Sequence, residues 1–198
     1  MLAITVRFLH GTFRAGSPED TVMTGSGPSG EWPPSPARLF SALVAADGTR
    51  DRSHVTDGSE LAAIERLGPP DIEASEVTTL AQTSIPSRFV VKDERAPSTT
   101  QDYPARTAAE VRPGVRLSPL APVVRYLWDG DLDSDLVQSL KLRAARIGYL
   151  GCADSPVQVT VSDSEEAGSP ERRRWTPGTS GGVTLPVPYE GFLAALDT

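Results

Sequence analysis

A chain of 198 residues with a formal net charge of −7, 38% hydrophobic and 23% charged residues, has the size and composition of one folded globular domain. It holds no run of about 18 apolar residues that could cross a bilayer, and Arg7 and His10 interrupt the opening MLAITVRFLH where a signal peptide needs an unbroken apolar stretch, so a cytoplasmic protein is expected. The single cysteine, Cys152, excludes an internal disulfide and a paired-cysteine metal site.

In chain order, LAITVRFL at 2–9 alternates apolar Leu2, Ile4, Val6 and Phe8 with Thr5 and Arg7, the period of a strand. A Gly/Ser/Pro-rich loop from Gly16 to Gly30 leads to EWPPSPARLFSALVAA. There Ser35 suits an N-cap, Pro36 the first helical turn, and Leu39, Phe40, Leu43 and Val44 form an apolar stripe. ELAAIERL at 60–67 reads as a second short helix closed by Gly68 and Pro69-Pro70. The β-forming residues from Val77 to Val91 predict a strand, a break at Pro86, and another strand at 88–92. Residues 93–121 hold four prolines and few large apolar groups, a length that suits a functional loop or hairpin. VVRYLW at 123–128 returns to strand character. Ser134 is expected to cap a helix running to about Arg146, with Leu136, Val137, Leu140 and Ala144 inward and Gly148 as its stop. VQVTVS at 157–162 is a strand, 163–171 an acidic loop, and GFLAALDT the start of a helix. The order predicts an α+β, ferredoxin-like (RRM-like) βαββαβ sandwich over residues 1–162, with a projecting hairpin or thumb at about 93–121.

Charge is placed unevenly. Residues 1–46 are neutral, 47–80 carry −5, 81–127 carry +3 and 128–198 carry −5. All basic residues but Lys92 and Lys141 are arginine, whose planar fork matches phosphate and stacks on bases, although a GC-rich coding genome leaves the same bias. One basic segment in an acidic chain suits a local anion site or a solvated loop, and argues against non-specific nucleic-acid binding. Arg88 and Lys92 near Phe89, and Arg106, Arg112 and Arg116 near Tyr103, form the arginine–aromatic mixture that single-stranded RNA binding uses.

Other motifs fail on context. GSGPSG at 25–30 is followed by Glu31-Trp32-Pro33-Pro34 rather than by a helix, which removes the dinucleotide fingerprint. DGDLDSD has the acidic start of a calcium loop but Ser134 and Leu140 at the glycine and bidentate positions. His10 and His54 lack the partners of a triad or a zinc site. No metal, cofactor or catalytic residue is expected.

Three stretches, LAITVRFLHGTF, EWPPSPARLFSALVAA and RAARIGYLGCADSPVQV, together resemble the N-terminal Cas-five half of the fused Cas-five/Cas-six family of type I-G (formerly I-U) CRISPR systems, within the RAMP superfamily. The resemblance implies a non-catalytic RNA-binding subunit of the Cascade surveillance complex that caps the 5′ handle of the CRISPR RNA in antiviral defence. It places Trp32 and Arg38 at the entry to the first helix, makes Gly148 and Gly151 a glycine-rich loop headed by Arg146, and turns the insertion into a thumb carrying Arg106, Arg112 and Arg116. The implied partners are CRISPR RNA, a backbone and a large subunit, a Cas-six-type half in cis or trans, and target DNA through the assembled complex. Residues 163–198 would then be an acidic loop, a short strand and a helix or linker toward that other half. Two other readings compete. One is a metal-independent endoribonuclease using His10 with Lys92 or Arg88; the other is a protein-interaction module without RNA affinity.

Overall fold

Alternation in LAITVRF does what its period requires: β1 (Leu2–Phe8) buries Leu2, Ile4, Val6 and Phe8 on one face and exposes Arg7 on the other. The structure, a computed structural model, describes residues 1–15, 30–48, 56–79, 89–91, 106–108, 115–163, 171–178 and 182–196. Further strands are β2 (Phe13–Ala15), β3 (Asp71–Ser75), β4 (Val77–Thr79), β5 (Phe89–Val91), β6 (Arg106–Ala108), β7 (Val115–Pro119), β8 (Val123–Trp128), β9 (Val157–Ser162) and β10 (Arg172–Trp175). The helices are α1 (Pro36–Ala45), α2 (Ser59–Leu67), α3 (Ser134–Ala144) and α4 (Phe192–Leu196).

The main sheet has the order β10-β3-β8-β1-β9, and every pairing in it is antiparallel. Without β10, this order, with helical crossovers after β1 and after β8, is the ferredoxin-like sandwich that the sequence predicts. One face of the sheet, with Ile4, Val6, Phe8, Tyr126, Trp128, Val159 and Val161, joins Leu39, Phe40, Leu43, Leu61, Ile64, Val137 and Leu140 of the helices in one core. The other face carries Arg7 opposite Gln158 and Thr5 opposite Thr160 and Arg125. Among the described residues it holds no aromatic side chain.

Three local expectations change. The strand at Val77 belongs to the insertion, and the second strand of the sandwich is β3, DIEAS, which Asp71 and Glu73 make look like a polar loop. Glu73 is nevertheless buried, because the equally buried Arg125 of the neighbouring β8 donates Nη1–H to its Oε2 at 3.0 Å. Two short strands were also illegible: β2 pairs with β7, which pairs with β4. Finally, α3 starts with Asp133 rather than Ser134 at its N-cap, and Arg143 points inward where Leu136 is only half-buried.

The insertion lies between β3 and β8. Asp71 pairs with Leu127, Val77 with Pro119 and Phe89 with Ala108, so the three ladders nest with nearly constant register. It therefore starts at β4, earlier than the expected residue 93. Its root is pinned by Ser75, whose Oγ accepts from Ala121 N–H at 2.9 Å.

The C-terminal segment packs as part of the sandwich. β10 adds an edge beside β3, Phe192 lies 5.7 Å from the ring of Phe40, and the buried Glu65 carboxylate accepts from Gly191 N–H at 2.9 Å and Leu193 N–H at 2.6 Å. Those two donors precede or open α4, and without Glu65 they would have no partner in the first turn of a helix.

Candidate functional site

The entry to α1 is built by its own sequence. Pro36 sits in the first turn, where a missing N–H costs nothing, and the Ser35 hydroxyl accepts Arg38 N–H at 3.3 Å. The buried Glu31 carboxylate accepts Ser35 N–H at 2.5 Å and Arg38 Nε–H at 3.1 and 3.2 Å, and it also pairs with Arg38 Nη2. A carboxylate at this helix end also meets the favourable end of the dipole. Arg38 is thereby fixed in direction while about a quarter of its side chain stays exposed. Beneath it the Tyr126 hydroxyl donates to Pro34 O at 2.8 Å, and burial, with Glu31 nearby, pushes the phenol's pKa far up, so it remains a donor.

The other end of α1 passes into a 3-10 turn, Ala46–Gly48, that delivers Asp47. Asp47 bridges Arg143 Nη2 at 2.5 Å and Arg146 Nη2 at 2.6 Å. Arg143, 1% exposed, also donates Nε–H to the fully buried Glu60 at 2.6 Å, Nη1–H to Leu43 O at 3.0 Å, and Nη2–H to Thr56. One guanidinium therefore ties the end of α1, the start of α2 and the end of α3. A buried charge of this kind is tolerable only with its partners in place.

Arg146 opens the loop that follows α3. Ile147 and Leu150 are buried, whereas Gly148 and Tyr149 between them are exposed. The loop is held in register by a bridge between Tyr149 and Pro156 and by the bonds Val157 N–H to Gly148 O at 3.1 Å and Leu150 N–H to Ser155 O at 3.2 Å. Gly151 has φ +78°, and a Cβ there would stand 2.5 Å from Arg14 O on β2. This close approach lets Cys152 N–H donate to Arg14 O at 2.9 Å.

Between α1 and this loop lies a cleft of about 370 Å³. Arg38, Ser41, Ala42, Ala45 and Ala46 form one wall, and Arg146 through Gly151 form the other. Of the residues predicted from sequence, Arg38, Arg146, Gly148 and Gly151 meet here. Others do not. Trp32 is a brace, its indole N–H donating to Ser75 O at 2.9 Å and its ring lying 6.1 Å from Phe8 and 5.9 Å from Phe13. Arg116, directly opposite Arg14 on the paired strands, turns back to Asp154 at 2.5 Å and Thr12 at 3.3 Å. Arg106 lies on β6, its side chain outside the described residues, as are Arg88, Lys92, Arg112 and His54. His10 is exposed in the turn after β1. Among the described residues no cluster of three or more His, Cys, Asp or Glu is arranged to hold a metal ion, and no helix is long and apolar enough to cross a membrane.

Sequence reasoning missed Glu31, Asp47 and Arg143, which set the two cleft arginines, and Tyr149. The spacing of Glu31 to Ser35 and Arg38 around a capped helix start was a usable signal. Nothing in the sequence links Asp47 to Arg143.

A family model described as "CRISPR-associated protein, GSU0054 family" matches residues 4–198. The chain belongs to that family. No curated protein matches it. Among solved structures, the crystal structure of a CRISPR protein from Archaeoglobus fulgidus is similar at 16% sequence identity and a TM-score of 0.42, over 82% of this chain and 63% of that one. The chain thus spans less than two thirds of that protein's length. In this GSU0054-family member the cleft between α1 and the glycine loop is where the two stretches EWPPSPAR and RIGYLG come together.

Proposed function

We propose that this GSU0054-family protein is the Cas-five-type, non-catalytic RNA-binding subunit of a type I-G Cascade surveillance complex. In this reading it caps the 5′ handle of the CRISPR RNA and touches the first backbone subunit through the long hairpin. It works in the cytoplasm beside a large subunit and a Cas-six-type half in cis or trans, and meets target DNA only through the assembled complex.

The observation that carries the reading is the convergence of Arg38 with Arg146, Gly148 and the loop backbone on one cleft. Guanidiniums held in fixed directions, next to exposed main chain at a glycine, are the groups that contact a sugar–phosphate backbone. Among the described residues the far face of the sheet lacks the aromatic platforms that RRM-type readout stacks bases on, so the cleft is the better-equipped surface. An acidic total with local cations favours one dedicated RNA over any nucleic acid.

The test is co-expression with the backbone subunit and a CRISPR array. RNA of one defined length should co-purify, and Arg38→Gln with Arg146→Gln should reduce it, with circular dichroism checking that the fold is kept. Cleavage of repeat RNA by the wild-type chain that disappears in His10→Ala would overturn the non-catalytic assignment. Co-purification of the protein subunits without RNA would overturn the RNA-binding one.

A further inference from the structure

The main sheet ends in two edges of opposite character. β10 carries three consecutive arginines, Arg172–Arg174, whereas β9, VQVTVS, has no charge, no proline and no break in its register with β1. Folded proteins ordinarily blunt an edge of the second kind, because its unpaired main chain is a template for another strand. The bonding phase of β9 is fixed at its start. Leu9 N–H donates to Pro156 O at 2.9 Å, in the same register that pairs Arg7 with Gln158 and Thr5 with Thr160. Antiparallel bonding alternates, so Gln158, Thr160 and Ser162 turn their main-chain groups to β1, while Val157, Val159 and Val161 turn theirs outward. Val157 N–H, which donates to Gly148 O at 3.1 Å, agrees with that phase and closes the first step of the edge. Beyond it, among the described residues, the N–H groups of Val159 and Val161 meet no acceptor, although both side chains belong to the core.

We propose that the outer edge of β9, from Val159 onward, takes a short extended segment of another polypeptide as a sixth strand, and that this segment is basic where it passes Asp163. Outward donors and acceptors that recur every second residue, about 7 Å apart, are matched by a strand backbone. Phosphates offer acceptors alone and would leave the outward carbonyls unmet. The basic character follows from the charge at the far end of β9. The pairs Leu2–Trp128 and Ala3–Ser162 set the end of β9 level with the exit of β8, so the exposed Asp129, Asp133 and Asp135 share that end of the sheet with the exposed Asp163. A second copy of β9 is the poorer occupant. Paired antiparallel about Thr160, it would set its Asp163 opposite Val157, where Gly148 already sits, and slid farther along it would bring two acidic ends together. This docking is independent of the RNA-binding reading.

The experiment pans a phage-displayed library of random eight-residue peptides on the full chain and measures the enriched sequences as fluorescent synthetic peptides by anisotropy. They should be rich in Val, Ile and Thr with Lys or Arg toward one end, and should slow hydrogen exchange at the Val159 and Val161 amides. Asp163→Lys should weaken them about fivefold, through a lost ion pair and a new repulsion, and should keep the wild-type melting curve because Asp163 is exposed. Methylating alternate peptide amides on the side that meets β9 should abolish binding, with the protein unchanged. Failure to enrich such peptides, or binding that leaves the Val159 and Val161 amides unprotected, would overturn the edge site. Self-association of the chain in sedimentation, with protection of the same two amides, would overturn the foreign strand in favour of a second copy.

Discussion

The two halves of the glycine loop are held from different sides of the fold. Residues 146–149 are held from below by charge: Arg146 on Asp47, Asp47 on Arg143, Arg143 on Glu60. Residues 151–155 are held from the side by β2 and β7: Gly151 pressed on Arg14 O, Cys152 bonded to it, Ser155 Oγ accepting Arg14 N–H at 3.0 Å, and Asp154 paired with Arg116 at 2.5 Å. Gly148 and Gly151 look equivalent in the sequence, yet a Cβ at Gly148 would meet nothing within 4 Å. Gly151 is thus needed for the fold, and Gly148 leaves main chain open to a ligand. The first half serves the cleft, and the second half fixes where it stands.

Substitutions can break or sharpen this contrast. The largest effect is expected beneath the first half. Arg143→Met leaves Glu60 buried and unpaired and should cost about 3–5 kcal/mol, read as a lower urea midpoint at pH 7. Next is Gly151→Ala, where a left-handed backbone and a clash with a carbonyl oxygen should combine to about 3 kcal/mol; a loss below about 1 kcal/mol would mean that β2 can yield and that the backbone clamp is not real. Ser155→Ala leaves Arg14 N–H without its acceptor and should cost about 1–3 kcal/mol. Gly148→Ala should change stability by less than about 0.5 kcal/mol and weaken RNA binding, and a stability loss as large as that at Gly151 would erase the distinction between the halves.

A separate check concerns the support under α1. The Tyr126 phenol has its pKa raised by burial, so above the unfolded value near 10 the unfolded chain releases a proton that the folded chain retains, and stability should fall as pH rises past that point. Tyr126→Phe should lose the bond to Pro34 O, about 1 kcal/mol at neutral pH, and flatten the alkaline decline.

How much of this was legible in the sequence depended on whether one segment carried its own explanation. β1, β8 and β9 declare themselves by alternation and α1 by its cap, its proline and its apolar stripe, because each signal is complete within about ten residues. β3 does not, since the charge that makes DIEAS look like a loop is cancelled by Arg125 on another strand. Trp32 was legible as important but not in its role, which is set by Ser75 and the hairpin root.

The sequence by itself therefore determined β1, β8, β9 and the longer helices, the ferredoxin-like class, and the two stretches that line the cleft. Tertiary structure alone decided that these stretches face each other and that Gly148 differs from Gly151. It also decided that Arg116 braces the loop while Tyr149 is left outside. The reason is physical: local propensity is read along the chain, but a steric clash or an ion pair is defined by distance in space, and Asp47 and Arg143 become neighbours only when three helices have packed on one sheet.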